Sequence, residues 1–449
     1  MEALRRFAKR ASASVALGVA LLAFDASTTA RAALPTLAQH LSAVDTVSAG
    51  QYVGKAPYRV VSATELARMK AYIHSQYAGV KSVHVFAYDD DLVVDCVDQY
   101  TQLGATRHGL NASNWKTAPT HLPQPVDRLS PSEPRPLRDP GVFLMRTDRD
   151  AHGNLRGCEP GSVPVNRITL EMVARYPTVA DYERRWLRPS IAGHEYAKAS
   201  FPYYSNAGGQ AYIYAWNPFL ELDHEETILQ LWVVAGSTGD DTLETIEAGW
   251  QKAPHNWTWG KDYPHLFLFA SKGNYATMQW DNGSWFVQTD HSVDLGGKLT
   301  LSSVTGGSQY STKYYIYKDG ASSTGDWWFN YDGVWVGYYP YTEFTSSGLR
   351  NAAAVFDVGG EVYNSEPSGR HTKTDMGSGY QPSSGWGYAA YMRMIRWIDT
   401  SNTWVIPNPM SLSYDNANCY AVEPHYNGGP GWESYIYLGG EGYNSQTCP

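Results

Sequence analysis

Trp327-Trp328-Phe329-Asn330-Tyr331-Asp332-Gly333-Val334-Trp335-Val336-Gly337-Tyr338-Tyr339 is the stretch that decides the fold. Aromatic and β-branched residues suit a pleated, half-buried surface, and here they run up to Asp332-Gly333 and resume beyond it. The texture continues in both directions. Short runs at Gln210–Trp216, Thr227–Val234, Leu266–Phe269, Lys313–Lys318, Ala353–Val362 and Tyr435–Leu438 are parted by Gly, Asn, Asp and Ser. Helical periods are nearly absent from His194 onward. This spacing predicts an antiparallel β-sandwich of roughly 250 residues, a size such sandwiches reach as one domain.

Composition agrees. Aromatic residues make up 14% of the 449 residues and charged residues only 18%, which suits a Gly-punctuated β protein and excludes a disordered chain. The formal net charge is −9, and no basic run occurs beyond the N-terminus, so nucleic-acid binding is excluded.

Arg5, Arg6, Lys9 and Arg10 precede an apolar run from Val15 to Phe24 and then Ala30-Arg31-Ala32. A positive head, a short apolar stretch and an Ala-x-Ala site read as a secretory signal over residues 1–32. The run is shorter than the ~20 residues needed to span a bilayer, so no membrane anchor is expected. Cys96, Cys158, Cys419 and Cys448 are an even set, as exported disulfide proteins carry, and allow three pairings. Position favours Cys419 with Cys448, leaving Cys96 with Cys158. No Cys-x-x-Cys occurs, which argues against structural zinc.

Residues 33–190 read as a separate small α+β region. Ser62 caps a helix beginning at Ala63, and Val83–Tyr88 and Leu92–Val97 flank Asp89-Asp90-Asp91 as a β-hairpin. A linker over 117–140 follows, with seven prolines between Pro119 and Pro140. The sandwich domain then occupies 191–449.

The search for chemistry prunes quickly. There is no Gly-x-Ser-x-Gly elbow, and His194-Glu195 and His224-Glu225 lack the second histidine of a zinc-peptidase helix. Carboxylates remain. Glu247, in Thr245-Ile246-Glu247-Ala248-Gly249-Trp250, and Glu361, in Phe356-Asp357-Val358-Gly359-Gly360-Glu361-Val362-Tyr363, are lone acids in apolar strands beside glycine. Alternation puts each opposite the apolar set, facing a groove that the glycines clear. Solvent exposure on the outer side of a sandwich is the commoner fate of such an acid, and Glu343, Glu423, Glu433 and Glu441 compete by pattern alone.

At these residues the sequence resembles the neprosin family of glutamic prolyl endopeptidases. The likeness is carried by Ile246-Glu247-Ala248-Gly249-Trp250, Gly325-Asp326-Trp327-Trp328, Val336-Gly337-Tyr338-Tyr339-Pro340, Gly359-Gly360-Glu361-Val362 and Asp375-Met376-Gly377-Ser378-Gly379. It extends to Cys419-Tyr420, Leu438-Gly439-Gly440 and Cys448-Pro449. Upstream, Val94-Asp95-Cys96-Val97-Asp98 and Cys158-Glu159-Pro160-Gly161-Ser162-Val163-Pro164 look like the family's activation region. The resemblance implies a secreted proenzyme whose sandwich cleaves after proline with Glu247 and Glu361, and a Cys419–Cys448 disulfide in the catalytic domain. Proline-containing peptides and proteins would be its substrates. Where plant members have a close cysteine pair, this chain has Gly273-Asn274-Tyr275-Ala276-Thr277-Met278, and the hairpin lacks the expected extension after Gln99.

Two facing carboxyls cannot both ionise cheaply, so the pair is expected to share a proton and work best in acid, with no metal or cofactor. Gln230 and Trp232 alternate with Leu229, Leu231 and Val233, and Tyr363 shares the face of Glu361, so all three are candidate substrate-binding residues; Gln230 would hold the oxyanion. Of Trp327-Trp328 and Tyr338-Tyr339, at most half can line a proline pocket. Residues 33–190 would then be an inhibitory pro-region released by self-cleavage after Pro177 or Pro189, and the enzyme a monomer. A secreted carbohydrate-binding protein or glycosidase on the same kind of sandwich also fits aromatic richness with paired acids. A cell-surface structural protein would have no need for the two glutamates.

Overall fold

The computed structural model describes residues 32–88, 92–123, 139–184, 193–237, 239, 241–254 and 262–449. The signal segment, Asp89-Asp90-Asp91, most of the proline-dense linker and Pro189 lie outside them.

The N-terminal region is built on three antiparallel strands, β1 (Ser82–Ala87), β2 (Val93–Asp98) and β3 (Ser162–Asn166), in that order. Helices α1 (Leu37–Thr46), α2 (Ala63–Gln76), α3 (Leu103–Arg107), α4 (Leu170–Ala174) and α5 (Val179–Glu183) accompany them. Ser62 caps α2 by accepting from the Glu65 amide at 3.1 Å, satisfying a donor the first helical turn leaves open. Leu66, Met69 and Ile73 recur at helical spacing and bury against Phe86, Val94 and Val173. Cys96 is bonded to Cys158 inside this core, and Arg167 holds the buried Asp95 bidentately, both contacts at 2.6 Å.

Fifteen strands make the rest: β4 (His194–Tyr214), β5 (Glu226–Ala235), β6 (Glu244–Lys252), β7 (His265–Lys272), β8 (Thr277–Trp280), β9 (Val287–Gln288), β10 (Ser311–Lys318), β11 (Trp327–Tyr331), β12 (Val334–Tyr339), β13 (Ala353–Tyr363), β14 (Ala390–Asp399), β15 (Trp404–Val405), β16 (Ser411–Tyr414), β17 (Ala421–His425) and β18 (Tyr435–Gly439). They form one antiparallel sheet folded over on itself, an all-β sandwich. One layer runs β8-β7-β6-β5-β13-β4-β16; the other holds β9-β12-β11-β10-β4-β14-β18-β17. Between them lie Leu229, Leu231, Val233, Ile246, Ala248, Trp250, Val358 and Val362 of the first layer and Ile316, Trp327, Phe329, Val336, Met392 and Leu438 of the second.

Strand β4 belongs to both layers. Its first part pairs with β13 and β16, and Gly208–Tyr214 pairs with β10 and β14. The crossing needs Gly208: its φ is +92°, and a Cβ there would fall 2.2 Å from the Ile316 carbonyl oxygen. Sequence pattern starts this strand only at Gln210, because Pro202, Asn206 and Gly208-Gly209 break the local signal. Partners on both edges override that local preference. The deciding stretch is a hairpin, β11 and β12 turning at Asp332 and Gly333, both with positive φ. Cys419 is bonded to Cys448 at the far end of the sandwich.

The N-terminal region docks on the sandwich through directed contacts. Gln102 and Gln288 exchange two hydrogen bonds, at 2.8 and 2.9 Å, Arg107 pairs with Glu343 at 2.6 Å, and Lys116 with Asp326 at 2.6 Å. Trp328 and Tyr338 are covered there by Leu110 and Trp115, while Trp327 and Tyr339 fill the core. None of these four aromatics lies with the glutamates. A cavity of about 670 Å³ between α2, α5 and β8 is lined by Tyr72, Arg167, Tyr182, Met278 and Trp280 among others.

Candidate active site

Strand register brings the two glutamates to one face. On β13, β5 and β6 the successive partners are Glu361–Ile228–Gln251, then Gly359–Gln230–Gly249, then Asp357–Trp232–Glu247. The seven side chains of these rows point away from the core, as pleating requires once Leu229, Leu231 and Ala248 point inward. Glu361 and Glu247 therefore stand diagonally across β5, with Gln230 in the row between them. That row is flanked by two glycines. A Cβ on Gly249 would lie 2.1 Å from the Leu229 carbonyl oxygen, and one on Gly359 2.5 Å from that of Ala197, so both strands depend on bare backbone here.

The two carboxyls sit in different surroundings. Glu361 receives Nδ1 of His194 on Oε1 at 2.6 Å and Nε2 of Gln230 on Oε2 at 3.1 Å, with the Tyr196 hydroxyl a further partner. Glu247 is 7% exposed; burial and then the nearby Glu361 charge push its carboxyl up to about 8, against hydrogen bonds from Thr245, Tyr275 and Gln230 that favour ionisation. It carries its proton at neutral pH. Tyr275 donates its hydroxyl to Glu247 at 3.3 Å. Burial, followed by the neighbouring carboxylates, holds the Tyr196 and Tyr275 hydroxyls far above their usual range, so both remain donors.

Around the pair the face is aromatic. Tyr275 stacks on Phe269, Phe269 lies 4.5 Å from Trp280, and Tyr196 meets Trp232 edge-on at 6.4 Å. Lys198 pairs with Asp357 at 2.6 Å and lies 5.7 Å from the Trp232 ring. The arrangement is two carboxyls set across an amide on an aromatic floor.

Of the residues expected from sequence, Glu247, Glu361, Gln230 and Trp232 share this face. Tyr363 lies one row beyond Glu361, its ring 5.2 Å from that of His194. The competing acids have other occupations: Glu343 is held by Arg107 and Lys272, Glu433 by Arg396, and Glu423 lies 3.5 Å from His425. His194, Tyr196 and Tyr275 do not stand out in the sequence. His194 meets Glu361 only through β4–β13 register, and Tyr275 reaches Glu247 from a turn in which Asn274 and Tyr275 both take positive φ. The one signal was that this turn occupies the place of the plant members' cysteine pair.

Two glutamates set across a glutamine on one face of a β-sandwich are the constellation of a glutamic peptidase, a hydrolase. Residues 223–441, which hold both glutamates, match the family model described as Neprosin. Among solved structures the chain is similar to scytalido-glutamic peptidase bound to a peptide-based transition-state analogue, at 6% identity over 55% of this chain and 98% of that one, TM-score 0.28. It is also similar to SCP-B, an eqolisin-family peptidase in complex with the tripeptide Ala-Ile-His, at 7% identity over 54% and 96%, TM-score 0.27. The β-porphyranase BpGH16B from the human gut bacterium Bacteroides plebeius matches at 11% identity over 36% and 54%, TM-score 0.21.

Proposed function

We propose that this protein is an exported endopeptidase, made as a proenzyme, that hydrolyses peptide bonds after proline. The observation that carries the reading is the asymmetry of the pair. Glu361, with donors on both oxygens, takes the proton of the attacking water; Glu247, neutral, gives its proton to the carbonyl oxygen and then to the leaving nitrogen. The two act as one coupled unit that exchanges a single proton. Gln230, between them, is the amide nearest the developing oxyanion.

Preference for proline is supported by the aromatic floor. Phe269, Tyr275, Trp232 and Tyr196 offer ring faces and edges that suit a pyrrolidine ring and present no charge of their own. Export is supported by the Arg-rich head and Ala-x-Ala pattern of residues 1–32 and by the two disulfides. Residues 33–190 serve as the inhibitory pro-region, and removal after Pro177 or Pro189 yields the active monomer. Because Glu247 keeps its proton to about pH 8, the need for that proton does not itself confine activity to acid. Acid dependence then belongs to release of the pro-region, whose docking uses Glu343 and Asp326.

Mass spectrometry of fragments from an unstructured, proline-containing protein tests the reading between pH 3 and 8. Cuts after proline, lost in both Glu247→Gln and Glu361→Gln, are the expected result. Cleavage surviving either substitution counts against it. Failure to cleave even without residues 33–190 would favour the carbohydrate-binding alternative.

A further inference from the structure

At the end of the glutamate face the row beyond Glu361 is His194–Tyr363–Glu226, on β4, β13 and β5. His194, Glu226 and Glu361 each direct a ligand atom to a common point, all three atoms lying within 4.8 Å of one another. Glu226 is 2% exposed and Glu361 8%. Two buried carboxyls and an imidazole thus converge, and a dication between the carboxyls would offset their mutual repulsion. A second observation points the same way. Gln251, 1% exposed, donates Nε2 to Glu226 Oε2 at 3.1 Å while its own Oε1 is buried with no partner among the described residues. Gln230 is in the same condition, with Nε2 on Glu361 and Oε1 unpartnered. Half a turn of the Gln251 amide exchanges nitrogen for oxygen and turns an unused acceptor toward the cluster.

We propose that His194, Glu226 and Glu361 form a site for one divalent cation of the zinc class, and that its occupation switches the peptidase off. One imidazole nitrogen and two carboxylate oxygens leave a fourth position for water, the ligand set zinc accepts. Calcium and magnesium, which want six or more oxygens, are poorly served by an imidazole. Binding displaces the proton between His194 Nδ1 and Glu361 to solvent or to Nε2, and places the metal on the Nδ1 lone pair. Coordination draws negative charge from Glu361 toward the metal and lowers its basicity, so it no longer takes a proton from water effectively. The inhibitory consequence rests on the peptidase reading; the metal site does not.

The test strips the full chain with a chelator and titrates it with Zn²⁺ by calorimetry and with Co²⁺ by visible absorption, beside a cleavage assay, with and without Zn²⁺, on the same protein after acid has released residues 33–190. One Zn²⁺ per chain is expected, with affinity falling roughly tenfold or more in His194→Gln and in Glu226→Gln. The Zn²⁺ concentration that halves cleavage should rise by the same factor in Glu226→Gln, measured against that variant's own metal-free rate. Ca²⁺ and Mg²⁺ should leave cleavage unchanged. Thermal melts of the metal-free variants verify folding; if His194→Gln unfolds, Glu226→Gln alone carries the comparison. Absence of Zn²⁺ binding, binding that neither substitution weakens, or activation by Zn²⁺ overturns the proposal. Binding as expected in a protein that cleaves nothing even after release of residues 33–190 would keep the site and overturn the peptidase reading instead.

Discussion

Replacing Glu247 by Gln should make the protein more stable, and the gain should grow with pH. The carboxyl is raised from its ordinary 4.5 to about 8 in the folded chain. A group whose folded value lies above its unfolded one contributes fully below the unfolded value and loses that contribution as pH climbs to the folded one. Wild type therefore gives up stability between pH 4.5 and about 8, while a neutral amide at the same position gives up none. Each pH unit in that window is worth ~1.4 kcal/mol. The gap between variant and wild type should thus be near zero at pH 4, ~3 kcal/mol at pH 7, and level off at roughly 5 kcal/mol above pH 8. At a few degrees per kcal/mol for a domain of this size, the variant melts roughly 6–12 °C higher at pH 7. The amide retains a carbonyl oxygen for the Tyr275 hydroxyl, so little packing is lost. Calorimetric melts of both proteins at pH 4, 5, 6, 7 and 8 measure it, and the same variant should not cleave peptide, an exchange of activity for stability. A gap that stays flat across the range, or a wild type more stable at pH 8, would refute the buried-acid argument.

Other perturbations test separate links. In Tyr275→Phe, loss of a bond that favours the ionised form of Glu247 moves the alkaline limb of the pH–rate profile upward, with kcat falling by about tenfold; a limb that moves down contradicts the assignment. Gly249→Ala forces a Cβ against the Leu229 carbonyl and Gln230, so unfolding experiments should show a loss of ~2 kcal/mol or more; a neutral result would mean that β5 and β6 separate freely there. Burial raises Glu343, but Arg107 and Lys272 outweigh it and hold its carboxyl below the ordinary range. Its docking contribution is therefore present above about pH 4.5 and lost as pH falls through the depressed value, and Arg107→Ala should let the N-terminal region be nicked by added protease at a higher pH than in wild type.

The legible part of the molecule was the part written in alternation. Period-two patterning around Leu229, Leu231 and Val233 puts Gln230 and Trp232 on the face where they are found, and the same rule turns Glu247 and Glu361 from the core. Which acids matter was not legible from alternation, since the cations that occupy Glu343 and Glu433 come from elsewhere in the chain. His194 is 167 residues from Glu361 and meets it through register fixed by the whole length of β13. Tyr275 is reached by a turn whose positive φ values no apolar period announces. The long β4 was masked by its own proline and glycines, because edge-to-edge pairing on two sides decides its conformation and single-chain propensity does not.

A peptidase lives among copies of itself, and β4 bears on how it survives them. Its 21 residues are shared between the two layers, so neither layer can peel away while the other persists. Opening the active-site layer means breaking β13 and β16 from one half of β4, and the other half stays clamped by β10 and β14. Local openings that would offer a strand to a neighbour's active site are thereby tied to disruption of the whole sandwich. Where cleavage needs such an opening, resistance follows the slowness of global unfolding more than any contact at the surface. The strand that sets Tyr196 and His194 against Glu361 thus also protects the protein from its own kind.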